Sequence, residues 1–203
     1  MPETGTGIRV VLFDLGGVLV DFGGVEPVRQ HSGIDSGEEL WARWLACPWV
    51  RAFERGGCSA ESFAAGVVAD WGLRLSPGEF LSGFRSWVGG PLPGAEALVR
   101  EVRARRTVGC LSNTNRTHWE DRGSLWLVDV FDHRFLSFEM GLVKPDPEVF
   151  SHVCETLNVA PEDVLFLDDN APNVEAAHAA GMQARQTRGV DQARAALVEA
   201  GVL

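Results

Sequence analysis

The first apolar strand and the turn after it constrain this fold more than any other segment. Residues 8–13 end in Val-Val-Leu-Phe, a run of bulky side chains that predicts a strand buried on both faces. The run stops at Asp14, and Gly16 and Gly17 follow almost at once. Open α/β sheets bind their ligands at the carboxyl ends of such strands. Asp14 is therefore a candidate nucleophile, a candidate metal ligand, or both, although aspartate before glycine also commonly caps a turn.

Polar side chains also follow two later apolar runs. One run ends at Ser112 and Asn113, and another ends at Asp168 and Asp169. Because the carboxyl ends of parallel strands meet on one edge of a sheet, we expect these groups to lie beside Asp14. Three carboxylates there would repel one another unless a cation held them, and their oxygens suit Mg²⁺. The hydroxyl and amide, together with the free N–H groups of a helix start, suit an anion such as phosphate.

Lys144 is the one lysine among 18 basic residues, the others being arginines. It lies in Gly-Leu-Val-Lys-Pro-Asp-Pro, residues 141–147, which predicts a loop leading into a helix. A compact ammonium at this place can neutralise both Asp14 and a bound anion. An acid, a magnesium site, a lysine and an anion pocket together indicate phosphoryl transfer through a carboxylate nucleophile.

Strand and helix signals alternate from residue 100 to residue 203, which predicts an α/β fold with a doubly wound parallel sheet. Between residues 21 and 90, Trp, Arg, Glu and Ala recur at helical spacing instead. Gly-Gly-Pro-Leu-Pro-Gly, residues 89–94, is typical of a linker. We therefore predict a core of residues 1–20 and 91–203 and a helical cap of residues 21–90, with the binding cleft between them.

Capping signals place the helix starts. Ser36, Ser59 and Ser76 are predicted N-caps in the cap, and Asp146 is the predicted N-cap of a later helix that begins with Pro147. Further helices are expected over residues 95–105, 116–122, 147–157, 171–180 and 190–200, and further strands over residues 107–111, 134–136, 164–167 and 182–186.

Composition restricts the partners and the compartment. A net charge of −10 without a basic stripe argues against binding to nucleic acid or anionic membranes. No apolar run approaches the ~18 residues of a membrane-spanning helix, and the first seven residues lack the features of a signal peptide. A cytoplasmic location is therefore expected. The cysteines form no CxxC pair and are expected to be reduced thiols rather than a zinc site; they are Cys47, Cys58, Cys110 and Cys154.

Taken in order, these motifs resemble those of the haloacid dehalogenase (HAD) superfamily, in the subgroup with a helical cap after the first motif. The matching segments are Phe-Asp-Leu-Gly-Gly-Val-Leu at 13–19, Leu-Ser-Asn at 111–113, the Lys144 loop at 141–147, and Leu-Asp-Asp-Asn at 167–170 with Asn173. The resemblance runs over about residues 8–185. It implies a Rossmann-like core with an inserted α-helical cap. The block Phe-Glu-Arg-Gly-Gly at 53–57 is also similar to the cap of the epoxide-hydrolase-like phosphatase branch.

The resemblance also implies an activity. It implies a Mg²⁺-dependent phosphatase that hydrolyses a small phosphorylated metabolite, with sugar phosphates as one candidate class, through an aspartyl-phosphate intermediate on Asp14. Lys144 would orient the nucleophile, and Ser112 and Asn113 would bind the phosphate. The implied metal ligands are Asp14, the backbone carbonyl of Gly16 and Asp169, with Asp168 beside or behind the metal.

Gly16 departs from the family pattern. Most phosphatases of the superfamily carry a second aspartate there, which protonates the leaving group and then activates water. General acid–base help of this kind is worth ~10² to 10⁴ in rate. His31 and Glu54, both in the predicted cap, are candidate replacements. Relatives with Asp-Leu-Gly in the first motif include sugar-phosphate phosphatases, so Gly16 is compatible with activity.

Two other functions are compatible with the same motifs. One is a metal-free 2-haloacid dehalogenase, in which Asp14 attacks carbon; against it stand the Asp168–Asp169 pair and the lack of any tyrosine. The other is a non-catalytic phosphate-binding protein that kept the fold and lost the acid. Specificity is assigned to the cap, where the candidate residues are Trp41, Arg43, Trp44, Trp49 and Arg51. The pattern specifies neither the substrate nor the oligomeric state.

Overall fold

A parallel five-stranded sheet forms the centre of the molecule, as predicted. The computed structural model describes residues 7–120 and 126–203. Within them the strands are β1 (Val10–Phe13), β2 (Val20–Phe22), β3 (Val88–Pro91), β4 (Thr107–Ser112), β5 (His133–Leu136), β6 (Val164–Asp168) and β7 (Gln183–Gln186). The sheet order is β5-β4-β1-β6-β7, with every pairing parallel. Strand β1 is therefore central, and the chain builds outward from it on both sides.

Helices cover both faces of this sheet and also form the segment inserted between β2 and β3. They are α1 (Glu26–Ser32), α2 (Gly37–Ala46), α3 (Pro48–Glu54), α4 (Ala60–Trp71), α5 (Pro77–Arg85), α6 (Ala95–Arg103), α7 (Arg116–Glu120), α8 (Ser137–Met140), α9 (Pro147–Leu157), α10 (Ala171–Ala179) and α11 (Gly189–Glu199). The predicted helix over residues 116–122 is confirmed as far as Glu120, and its remainder lies outside the described residues. None of the helices in the described ranges is both long and apolar enough to cross a membrane.

Strand β1 is buried on both faces because its side chains alternate between two cores. Val11 and Phe13 belong to the cluster that contains α6 and α11 residues, whereas Val10 and Leu12 belong to the cluster that contains α9 and α10 residues. A strand enclosed in this way has a continuous apolar run, which is the pattern its sequence shows. The packing on both faces thus fixes β1, and with it the position of Asp14 at the carboxyl end of this strand.

The inserted helices pack around a core of their own. Its buried residues run from Val25 to Trp87, and the Trp44 ring lies within 5.0 to 6.1 Å of four other aromatic rings. Ser76 and Glu79 form the reciprocal capping box that starts α5. This packing accounts for the apolar residues that recur at helical spacing in the insert. The division of the chain at residues 20/21 and 90/91 stays a prediction.

The predicted linker at residues 89–94 is partly wrong. Its first residues lie in β3, which pairs antiparallel with β2. The two crossings between the sheet and the insert thus run side by side, and each satisfies backbone groups of the other. Glycine and proline are depleted in strands, so the local composition does not indicate this pairing.

Candidate active site

Three carboxylates converge at the carboxyl edge of the sheet. Asp14 follows β1, Asp168 ends β6, and Asp169 comes next in the chain. Each offers an oxygen, and these oxygens all lie within 4.8 Å of one another. The backbone N–H of Asp14 donates to the carbonyl oxygen of Leu167 at 2.8 Å, which fixes Asp14 against β6. The expected convergence of the strand ends is therefore present in the structure.

Lys144 is buried between these carboxylates, with only 2% of its surface exposed. Its Nζ donates to Asp168 Oδ2 at 2.6 Å and to the Leu111 carbonyl at 2.8 Å, and it lies 3.0 Å from Asp14 Oδ1. Burial alone lowers the pKa of Lys144, but the Asp14 and Asp168 carboxylates raise that pKa above its ordinary value. The ammonium stays charged and holds Asp14 in one orientation.

Asp168 is the most fully engaged of the three acids. Besides Lys144, it accepts hydrogen bonds from the Asn173 side chain at 3.0 and 3.1 Å and from the backbone N–H of Asn170 at 2.8 Å. Its side chain is completely buried. With both oxygens occupied, Asp168 is suited to position Lys144 rather than to face a substrate.

Asp14 and Asp169 line the cavity and carry raised pKa values. Burial raises the pKa of Asp14 to about 7; Lys144 opposes this shift, while Asp168 and Asp169 add to it. Burial, followed by Asp168, raises the pKa of Asp169 to about 6. A divalent cation between these two oxygens would relieve the repulsion and favour both ionised forms. The donor set therefore fits a hard cation such as Mg²⁺, with the adjacent Gly16 also lining the cavity.

Gly17 lies directly against the Asp169 carboxylate. Its φ is +72°, and a Cβ placed there would lie 2.5 Å from Asp169 Oδ2. Both observations require glycine, because the left-handed backbone and the close carboxylate each exclude a side chain. Gly17 is thus needed for Asp169 to approach Asp14 and Asp168.

Asn113 has a structural role that its sequence context does not indicate. Its Nδ2 donates to the Lys144 carbonyl and its Oδ1 accepts from the Lys144 N–H, both at 2.9 Å. The side chain therefore fixes the backbone of Lys144. Because its amide group is occupied in this way, a bound anion would contact Asn113 through other atoms. Ser112 is buried at the end of β4 and lines the cavity. The phosphate-binding role of both residues stays a prediction.

Asp146 is at the N-terminus of α9, but its side chain does not cap that helix. The predicted N-cap position and the start of the helix at Pro147 are confirmed, but the carboxylate receives two hydrogen bonds from Arg51 Nη2, at 2.7 and 2.9 Å, and one from Arg55 Nη2 instead of a capping bond. Charge-assisted bonds to guanidinium groups are about twice as strong as neutral ones, so they displace the cap. The result is an ion-pair tie between α3 of the insert and the Lys144 loop.

A cavity of about 490 Å³ lies between the sheet edge and the inserted helices. Of the predicted site residues, those lining it are Asp14, Gly16, Ser112, Asn113, Lys144 and Asp169, while Asp168 lies beneath. From the predicted specificity set, Trp41, Trp44 and Arg51 line the cavity. Arg43 and Trp49 instead bond to the backbone carbonyl and the carboxylate of Asp70, respectively.

Glu54 is the cap carboxyl that faces this cavity. It lies half-buried at the end of α3, and burial raises its pKa to about 7. Lys144 and then Arg51 oppose this shift, and Asp14 adds to it. His31, the other cap residue considered as a proton donor, is not among the described residues that line the cavity.

Comparison with known proteins agrees with this geometry. The family model described as haloacid dehalogenase-like hydrolase matches residues 8–181. Sesquiterpene phosphatase astK of Aspergillus oryzae is 28% identical over 184 residues, which cover 87% of this chain and 88% of that protein. Phosphorylated carbohydrates phosphatase of Thermotoga maritima is 34% identical over 194 residues, covering 87% and 83%.

Solved structures give the same result. A HAD family enzyme of Bacteroides thetaiotaomicron, solved as a point variant in complex with magnesium and inorganic phosphate, superposes with a TM-score of 0.67 at 26% identity and covers 89% of this chain and 94% of that one. The predicted fold and enzyme class are confirmed. With its motifs at the ends of β1, β4 and β6 and in the Lys144 loop, the chain belongs to the haloacid dehalogenase-like hydrolases.

Proposed function

We propose that this protein is a Mg²⁺-dependent phosphatase that hydrolyses a small phosphorylated metabolite through a phosphoryl group carried on Asp14. The observation that carries the proposal is the Asp14 carboxylate, held 3.0 Å from the buried Lys144 ammonium at the floor of a cavity that Asp169 also lines. The two named relatives act on a terpene and on carbohydrates, respectively, so their names leave the organic part of the substrate open.

Asp14 performs the covalent step. One of its oxygens attacks phosphorus while the bond from phosphorus to the ester oxygen breaks, and the departing alcohol oxygen takes up a proton. Water then attacks the phosphoaspartate, which releases inorganic phosphate and restores Asp14. Lys144 keeps the nucleophile oriented, and Ser112, which lines the cavity at the end of β4, would bind the phosphate. Mg²⁺ held by Asp14, Asp169 and the Gly16 carbonyl would neutralise charge on the phosphoryl oxygens.

Glu54 is our proposed donor of the proton that Gly16 cannot supply. Among the described residues that line the cavity, the carboxyl groups are those of Asp14, Asp169 and Glu54, and the first two are assigned to the nucleophile and the metal. His118 also lines the cavity, but its Nε2–H donates to a backbone carbonyl at 2.8 Å and its other ring nitrogen faces an amide. Among the described residues that line the cavity, Glu54 is thus the carboxyl group that remains to donate a proton to the leaving group.

The three-acid cluster favours the phosphatase over the metal-free dehalogenase. A dehalogenase would need to keep Asp14 ionised next to two further carboxylates with only Lys144 to offset them. In a metal-assisted phosphatase, the same carboxylates bind a cation, and the charge of that cation stabilises their ionised forms. The intact nucleophile, lysine and acidic pair also argue against a role in phosphate binding alone.

The test is hydrolysis of p-nitrophenyl phosphate by the purified protein with Mg²⁺ and with EDTA. We expect turnover with Mg²⁺, at least 10³-fold less for Asp14→Asn, and full activity for the control Asp191→Asn in the exposed first turn of α11. Undiminished turnover by Asp14→Asn, or in EDTA, would contradict the proposal. Halide release from chloroacetate in EDTA would instead support the dehalogenase.

A further inference from the structure

The cavity has a polar floor and an apolar wall. The polar groups described above lie at the end of the sheet, whereas most of the side chains contributed by the insert and by the β2–β3 ribbon are apolar. These include Phe22, Trp41, Trp44, Val50, Phe84 and Val88. From α2, α3 and α5, only Arg51 and Glu54 bring a charge to the lining. A substrate bound here thus has its phosphate against the sheet and its organic part against hydrocarbon.

Most of the polar side chains beside the apolar wall are engaged within the protein. Trp41 Nε1 donates to Asn170 Oδ1 at 3.1 Å, and the Asn170 amide donates to Asp169 at 3.0 Å. Arg51 binds Asp146. The other lining amides bond to Lys144, His118 and Asp168; they are Asn113, Asn115 and Asn173. A polyol placed against this wall would lose more hydrogen bonds to water than these engaged side chains could return, which opposes binding.

The apolar wall continues to the cavity mouth. Leu45 and Val198 are the large hydrophobic side chains that are exposed in the described part of the chain, and of the two only Leu45 lines the cavity. Ala42 and Ala46 also line it, and their spacing along α2 places them on the same face as Leu45. An exposed leucine on this rim extends the apolar surface beyond the cavity itself. A chain longer than the cavity could therefore continue along α2.

We propose that the substrate is a phosphate monoester of an apolar alcohol, with an aliphatic chain long enough to reach Leu45, rather than a sugar or polyol phosphate. This inference rests on the proposed phosphatase activity and specifies its substrate class. The cavity volume of about 490 Å³ suits a medium-sized organic group. Specificity then comes from buried hydrocarbon at one end and from phosphate recognition at the other.

The first test compares kcat/KM for a series of alkyl phosphates from butyl to decyl with glucose 6-phosphate, all with Mg²⁺ and below the critical micelle concentration. We expect kcat/KM to rise roughly two- to fourfold per methylene until the chain passes the rim. Glucose 6-phosphate should be at least 100-fold poorer than octyl phosphate. A flat chain-length series, or a sugar phosphate as good as octyl phosphate, would overturn the inference.

The second test uses a matched pair of exposed residues. Leu45→Gln should lower kcat/KM for decyl phosphate about tenfold through KM and leave p-nitrophenyl phosphate unchanged, because the short substrate does not reach the rim. Val198→Gln, a similar change on α11, should alter neither. Equal kinetics of both variants with decyl phosphate would count against the assignment. Failure of the proposed function has a different signature, since no phosphate ester would then be hydrolysed.

Discussion

Replacing Glu54 by Gln removes one acidic proton from the cavity and little else. Glutamine has nearly the same shape and can still form hydrogen bonds, but it cannot donate a proton to a leaving alkoxide. We therefore expect kcat for octyl phosphate to fall roughly 10²-fold or more, the range of general acid catalysis. With p-nitrophenyl phosphate, whose leaving group is stable as an anion, kcat should change less than about threefold.

The local environment of Glu54 sets the size of its contribution. With its ordinary pKa of 4.5, about 0.3% of molecules would carry the proton at pH 7, whereas a pKa of about 7 leaves about half of them protonated. Burial raises the pKa of Glu54, the positive charges of Lys144 and Arg51 lower it, and the negative charge of Asp14 raises it further. At neutral pH the site thus offers far more of the acid form than an exposed glutamate would.

The same pKa predicts a pH dependence with a definite sign. The acid must be protonated, so kcat of the wild type with octyl phosphate should fall tenfold per pH unit above about pH 7. Glu54→Gln should lack this alkaline limb. Glu38→Gln, an exposed change in the first turn of α2, is the control and should keep the wild-type profile.

The pairing of two leaving groups makes the test specific. Proton donation predicts that the loss in Glu54→Gln is large for the alkyl ester and small for the nitrophenyl ester. An equal loss with both substrates would contradict proton donation by Glu54, because it would show that Glu54 only supports the shape of the site. Gly16→Asp offers a further check, since a Cβ there meets Phe22 at an ordinary 3.6 Å and the new acid should restore alkyl phosphate turnover to Glu54→Gln.

Two further predictions concern the groups around Asp14. Lys144→Met leaves Asp14 and Asp168 buried without a cation, so urea denaturation should show a free energy of unfolding lower by about 3–5 kcal/mol and the phosphatase assay should show no turnover. Gly17→Ala should cut activity at least tenfold and raise the Mg²⁺ concentration needed for half-maximal rate, because the new Cβ would displace Asp169. The control is Gly33→Ala, which has a similar φ of +71° and no atom within 4 Å, and which should lose only about 1–2 kcal/mol of folding stability. Equal activity of the two variants would contradict a role of Gly17 in positioning Asp169.

The predictable parts of the site are those that depend on short stretches of sequence. Each strand end is an apolar run followed at once by a polar residue, so the sequence alone places Asp14, Ser112 and Asp168 on one edge of the sheet. The parallel sheet follows from the alternation of elements along residues 100–203. These features depend on neighbours in the chain, which is why local patterns are sufficient to predict them.

The parts that sequence patterns miss join residues far apart in the chain. The Asn113 clamp on Lys144 spans 31 positions, and the Arg51 bond to Asp146 spans 95. Asp146 followed by proline has the local pattern of a helix cap, and only the folded position of α3 diverts its carboxylate. A capping preference of ~1 kcal/mol is smaller than two charge-assisted contacts can contribute, so tertiary structure decides the outcome.

The Asp146 tie also connects the two halves of the proposed chemistry. Arg51 of α3 and Arg55, which directly follows that helix, lie on either side of Glu54 in the chain. Both guanidinium groups bind the carboxylate of Asp146, two positions after Lys144. The helix that carries the proposed proton donor is therefore fastened to the loop that carries Lys144. Placing the acid beside Asp14, as in relatives with a second aspartate, needs no such fastening. With Gly16 in that position, protonation of the leaving group by Glu54 would depend on α3 staying against the Lys144 loop, and the ion pair with Asp146 holds it there.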